Sequence, residues 1–350
     1  MSKLIRILSI DGGGIRGVIP GQVLVYLEKQ LQIKTQNANA RIADYFDFIA
    51  GTSTGGILTC ALLTPESAGS KKAKYTAQEV LGFYKDRGAD VFDLPFWHKV
   101  KSAKGLNDEK YPAAGIEKGL KDYFGDVEFK DLIKPCLLTS YDIERRKAHF
   151  FTSLDAQFDK DMNFKVRDAA RATSAAPTYF EAASIKAVSG KEYALIDGGV
   201  FANNPTLCAY SEIRRHVKSF ADAESKATAK DMLILSIGTG VSEASYLYED
   251  AKDWGLAGWV QPILDIMMSG ASETTDYHLG CMFDAVGKPE QYQRINIEIP
   301  KEVSSEMDNA TPENIKALML LGEKLADQKK RELDRVVDLL IENHPNNVNA

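Results

Sequence analysis

The sequence predicts an α/β protein: a three-layer α/β/α sandwich around a mainly parallel central sheet. Three observations predict it. Strand-like and helix-like segments alternate along the chain. Two strands run into glycine turns that open helices, at Asp11-Gly12-Gly13-Gly14 and at Gly51-Thr52-Ser53-Thr54-Gly55. A third strand ends on Asp197-Gly198-Gly199, and strand ends are where sites assemble in open α/β sheets.

The elements follow in order. Apolar, strand-like runs occupy 4–10, 45–50, 134–142, 193–197, 232–237 and 292–298. Helical patterns occupy 21–31, 53–63, 76–87, 114–123, 166–173, 206–217, 257–271 and 312–342. The last helix opens with Thr311 as N-cap and Pro312 at N1, and its apolar positions include Ile315, Leu318, Leu325, Val336 and Leu340. Residues 64–75, small and charged, read as a loop at the far end of the 53–63 helix, and Pro345 to Ala350 as a frayed tail. Neither a repeat nor a clear boundary is visible, so 1–350 reads as one domain with its core at about 4–325.

The segment Gly51 to Gly55 has the form G-x-S-x-G between a strand and a helix, the context of a nucleophile elbow. Its glycines permit backbone angles and close approaches that a Cβ would forbid. Ser53 then sits at the turn, where the positive end of the helix favours an alkoxide. The bland alternative is a small-residue turn without chemistry.

Gly12, Gly14 and Gly17 fit G-x-G-x-x-G, so a dinucleotide site must be weighed. The acidic residue expected at the end of the next strand is missing, because Gly51 closes that strand. A Walker loop is excluded, since no Gly-Lys-Ser/Thr follows. Three consecutive glycines instead expose backbone N–H groups that can hold an oxyanion. Arg16, just beyond them, suits the turn itself better than the capture of an anionic ligand. Asp197, taken alone, is a turn aspartate; with the other two motifs it completes a set.

These pieces resemble the patatins, the plant lipid acyl hydrolases, and the wider patatin-like phospholipase family. The resemblance is carried by ILSIDGGGIRGVIPGQVLVYLE, ADYFDFIAGTSTGGIL, RATSAAPTYF, LIDGGVFANNP and LILSIGTG, and continues through DWGLAGWV, TTDYH and MDNATPENIKAL. It implies Ser53 as nucleophile, Asp197 as general base and Gly12, Gly13 and Gly14 as the oxyanion loop. Arg16, Gly17, Gly51, Gly55, Gly198 and Gly199 support those motifs. It also implies a Ser–Asp dyad that needs no histidine, metal or cofactor. The expected substrates are acyl esters of phospholipids, lysophospholipids or related lipids, met at a membrane or micelle surface. The rival readings are a lipase effector switched on by a signal, such as a nucleotide, and a storage protein with residual esterase activity.

The five histidines are His98, His149, His216, His278 and His344. Ser53, Asp197 and His278 follow the chain order of a hydrolase triad, so counting alone leaves a triad open. His278 reads as a helix-interior residue, a poor place for a catalytic imidazole.

A net charge of −6 argues against a nucleic-acid polymer and against simple electrostatic docking on anionic membranes. It leaves insertion of apolar side chains open, and it is compatible with a homo-oligomer. No run reaches the roughly 20 apolar residues of a membrane span. The first strand begins too early for a secretory signal, which suggests a cytoplasmic protein with peripheral membrane contact. Cys60, Cys136, Cys208 and Cys281 are scattered in apolar or helical settings and read as reduced, buried thiols. Two aromatic segments bear on substrate. Phe92 to Trp97 is a candidate lid or interfacial loop. Trp254 to Met268 can line an acyl channel or touch a bilayer, but its composition is that of ordinary core.

Overall fold

In the computed structural model, the described residues are 4–86, 113–216, 220, 227–243 and 245–344. The Phe92–Trp97 segment, His98 and the tail from Pro345 lie outside them. Ten strands are described: β1 (Ile5–Ile10), β2 (Phe48–Thr52), β3 (Cys136–Asp142), β4 (Lys147–Thr152), β5 (Ala183–Lys186), β6 (Glu192–Asp197), β7 (Met232–Ile237), β8 (Val241–Ser242), β9 (Tyr292–Ile295) and β10 (Glu298–Ile299). The described helices are α1 (Val18–Thr35), α2 (Ile42–Tyr45), α3 (Thr54–Leu63), α4 (Ala77–Asp86), α5 (Ala114–Phe124), α6 (Ser153–Ala156) and α7 (Val166–Thr173). After them come α8 (Gly199–Ala202), α9 (Thr206–Arg215), α10 (Tyr248–Ala251), α11 (Leu256–Ala285), α12 (Pro312–Gln328) and α13 (Lys330–Glu342).

The main sheet runs β5-β6-β3-β2-β1-β7-β9, with β4 paired to β3. Its centre, β3-β2-β1-β7-β9, is parallel. All six residues of β1 are buried, because helices cover both faces of the sheet. Alternation along β1 and β2 divides the core. Leu8, Ile10 and Ile49 face α1, α3, α12 and α13, whereas Ile5, Ile7, Phe48 and Ala50 face α9 and the second half of α11. The expected three-layer α/β architecture is therefore present.

Several boundaries differ from the sequence reading. Strands β4 and β5 were not anticipated: both pair antiparallel, and β5 is a four-residue strand that alternates buried and exposed residues at the sheet's edge. The 312–342 helix is two helices, α12 and α13, meeting at Lys329. Its capping is as read: the Thr311 hydroxyl accepts from the Asn314 amide, and Pro312 stands at N1. Helix α11 runs on to Ala285, well past the expected end at 271. Only two of the four cysteines, Cys60 and Cys136, are buried; Cys208 is half-buried, and Cys281 is exposed on α11.

The register of β3 explains the site. One edge of β3 is taken by β4, from Leu137 to Asp142. The other edge is shared end to end. Parallel β2 pairs with Cys136–Thr139, and antiparallel β6 pairs with Ser140–Asp142. The two strands therefore point their C-terminal ends at each other. Thr52 lies opposite Thr139, and Asp197 lies opposite Ser140, the next residue along β3. Ser53, one residue beyond Thr52, is delivered to Asp197 by the sheet itself.

Candidate active site

Ser53 is the N-cap of α3, with φ 55° and ψ −122°. A positive φ is uncommon for a residue with a side chain and persists only when the surroundings enforce it. The close packing here does so. A Cβ on Gly51 would lie 2.2 Å from the Gly55 carbonyl oxygen, and one on Gly55 would lie 2.2 Å from the Ile10 carbonyl oxygen. The Ser53 amide donates to Thr173 Oγ1 at 2.9 Å, and Thr173 Oγ1 donates to the Thr139 carbonyl at 2.7 Å. The elbow is thereby tied to β3.

The Ser53 side chain faces the Asp197 carboxylate and favours its charged form, and Asp197 Oδ1 accepts from the Gly199 amide at 2.7 Å. Asp197 is fully enclosed. Burial pushes its pKa up to about 7, although the Ser53 side chain and the bond from the Gly199 amide pull the other way. A buried carboxyl poised near neutral pH is suited to proton transfer.

The glycine loop lies alongside, between β1 and α1. The Gly12 amide donates to the Asn203 carbonyl at 3.0 Å, so it has an acceptor already. This departs from the expected set of three donors. The Gly13 and Gly14 amides have no acceptor among the described residues. Gly14 has φ 59°, and a Cβ there would lie 2.1 Å from the Met307 carbonyl oxygen. Arg16 is buried and donates from Nε to the Gly13 carbonyl at 3.2 Å, as expected of a residue that holds the turn. Gly17 packs against Thr54, and Gly198 against Thr139.

Other groups that fix the loop were not singled out from the sequence. Arg294 grips Asp11 with two bonds, of 2.9 and 2.5 Å, at the foot of the loop. Thr239 Oγ1 donates to the Gly12 carbonyl at 2.7 Å. Asn203 is buried beside Gly12 and Gly199, and its Oδ1 has no donor among the described residues. Thr239 and Asn203 lie in segments that the resemblance does include, LSIGTG and FANNP. Nothing in the local pattern marks Arg294, which arrives from β9 at the edge of the sheet.

A cleft opens over this constellation. Ser53, Asp197 and Gly14 form part of its lining, and Ile57, Tyr179, Phe180, Leu264, Met268 and Met307 supply much of its apolar wall. No histidine lines it among the described residues. His278 is exposed on α11. His216 follows α9 and lies 3.3 Å from Glu212, while His149 is buried among Phe151, Phe164 and Tyr193. Asp155, Glu212 and His216 form the one grouping with metal-ligand spacing among the described residues. None of the three lines the cleft, and Arg215 puts a positive charge 3.7 Å from Asp155.

The strand–elbow–helix turn, the glycine loop on the adjacent strand and the apolar cleft above them define a lipid-hydrolase type of site on a three-layer sheet. The chain belongs to the patatin-like phospholipase family, whose model matches residues 8–210. It is 33% identical over 352 residues to patatin-like protein 2 of Oryza sativa subsp. indica, covering 95% of this chain and 86% of that one. Patatin-like protein 1 of Arabidopsis thaliana is 34% identical, with 95% of this chain and 84% of that one covered. A third relative, from Solanum tuberosum, is named "Probable inactive patatin-3-Kuras 1"; it is 31% identical, with 95% and 89% covered. Family membership supports lipid acyl hydrolysis in the broad sense and implies lipid substrates. No described helix is long and apolar enough to cross a membrane.

Proposed function

We propose that this protein is a lipid acyl hydrolase of the phospholipase A, lysophospholipase or galactolipase kind, working through a Ser53–Asp197 dyad, with the whole chain as one catalytic domain. One observation carries the reading. The ends of β2 and β6 meet along β3, so that a serine with positive φ faces a buried aspartate.

The chemistry follows. Asp197 takes the Ser53 proton as Oγ attacks the ester carbonyl. The Gly13 and Gly14 amides take the charge that develops on the carbonyl oxygen, each donor being worth about 3–4 kcal/mol in the barrier. The C–O bond to the alcohol breaks, and Asp197 returns its proton to the leaving oxygen. An acyl-serine remains. Water then gives a proton to Asp197 and attacks the acyl carbon, and Ser53 regains the proton as the fatty acid departs. The apolar wall of the cleft accommodates the acyl chain.

Fatty-acid release from phosphatidylcholine and from a soluble short-chain ester tests this. Ser53→Ala is expected to lower kcat by about 10⁴-fold or more on both substrates while the circular dichroism spectrum is unchanged. A folded variant within a few-fold of the unmodified enzyme would end the assignment.

A further inference from the structure

The first half of α11 is turned out toward solvent, although its composition is that of core. Leu256 is 94% exposed, and Trp259, Val260, Ile263, Ile266 and Met267 are each between 39% and 46% exposed. Leu256, Val260, Ile263 and Met267 follow the 4-3-4 spacing of a single helical stripe. The neighbouring stripe, Leu264 and Met268, points inward and lines the cleft that holds Ser53 and Asp197. One helix is thus wall on one side and, among the described residues, apolar surface without a packing partner on the other. Leu247 and Tyr248, at the start of α10, are also exposed. A run of edge-on aromatic contacts, Tyr246 to Trp254 at 5.4 Å and Trp254 to Trp259 at 5.1 Å, joins α10 to α11. Patches of this kind mark sites of interaction with a protein or a membrane.

The charges around the patch narrow the occupant. On the segment that carries the patch, Glu249, Asp250 and Asp253 are exposed, and Lys252 is the one lysine or arginine among the described residues 245–268. A second copy of the chain would set one acidic rim against another, and an anionic bilayer would meet the same repulsion. A neutral or zwitterionic lipid surface meets none. Continuity with the cleft favours the same occupant, because a lipid leaving such a surface enters directly past Leu264 and Met268.

We propose that the exposed stripe of α11, together with Leu247 and Tyr248, docks this protein on zwitterionic lipid surfaces and places the mouth of the cleft against them. The proposal rests on the acyl-ester reading of the cleft for its purpose, but not for its readout. Docking scales with the apolar area buried at the interface.

Co-sedimentation of the full chain with phosphatidylcholine vesicles is the test. The unmodified protein should sediment, and mixing phosphatidylglycerol into the vesicles should weaken binding. The Leu256→Asp/Val260→Asp variant should lose at least about tenfold in partitioning, since two apolar contacts are replaced by charge. Its turnover of a soluble monomeric ester should stay within about twofold, which also reports on its folding. Met267→Ser, a milder change on the same stripe, should weaken binding by a smaller factor. Ser53→Ala should sediment like the unmodified protein, so loss of chemistry and loss of docking are read separately. Unaltered sedimentation of the folded double variant, or binding strengthened by phosphatidylglycerol, would overturn the proposal. So would a dimer in light scattering that the double variant splits, because the patch would then belong to a second copy.

Discussion

Two regions meet at the cleft, and they are built on opposite terms. The floor is the set of strand ends that carries Ser53, Asp197 and the glycine loop. Ser53 and Asp197 are buried, and the backbone around them is fixed by contacts that leave no space for a Cβ. The rim is the first half of α11, with large apolar side chains in solvent. The contrast separates two tasks. Proton transfer between a serine and an aspartate needs geometry held to fractions of an ångström, which close packing provides. Taking up a lipid needs apolar surface left uncovered, at some risk to solubility.

If the floor acts by geometry, small changes there are costly. Gly14→Ala is expected to lower kcat by about 10²–10³-fold, the scale of losing an oxyanion donor. The added methyl meets the Met307 carbonyl, and φ 59° suits it poorly. Steady-state kinetics with a thermal-melt control measure this, and normal turnover in a folded variant would place the oxyanion site elsewhere.

The pH dependence sharpens the same point. Asp197 must be ionised to act as base, and burial holds its pKa at about 7. kcat/KM should therefore fall about tenfold per unit as pH drops below about 7, rather than below the ordinary carboxylate value near 3.8. Stability runs the other way. The folded form prefers the neutral carboxyl, so this group's contribution is greatest below about 3.8 and is lost as pH rises through about 7. A flat kcat/KM between pH 5 and pH 8 would contradict a buried aspartate as the base.

Changes in the wall should be milder and selective. Met268→Ala removes part of the apolar wall of the cleft and changes neither member of the dyad. It should raise KM for long-chain esters by about tenfold, the scale of losing a few methylene contacts, and leave kcat on a short-chain ester alone. An equal loss on both substrates would mean that Met268 supports the floor rather than the chain.

The same contrast governs what could be read from the sequence. The floor was legible because its geometry demands particular residues in sequence. An elbow needs Gly51 and Gly55 around Ser53, and a loop with free amides needs consecutive glycines. The rim was misread as core, since nothing in Trp254 to Met268 tells an apolar stripe facing a partner helix from one facing water. Only the position of α11 over the cleft decides it. Arg294 escaped notice for a related reason. It is distant in sequence from Asp11, and β9 brings the two together. Strands β4 and β5 were missed because neither has a continuous apolar run: β4 opens on Lys147 and holds His149, and β5 alternates buried and exposed residues. The shared edge of β3, which joins Ser53 to Asp197, is a matter of register and cannot be read from either strand alone.

The central claim is that Asp197 activates Ser53 directly. The rate at which a fluorophosphonate labels Ser53, followed by mass spectrometry across pH, tests it most directly. The account predicts labelling on Ser53 with an apparent pKa near 7, slowed by about 10³-fold or more in Asp197→Asn, as befits loss of a general base. It predicts labelling within about threefold of normal in His278→Ala, since surface substitutions away from a site change little. Labelling that survives in Asp197→Asn and collapses in a folded His278→Ala variant would contradict it.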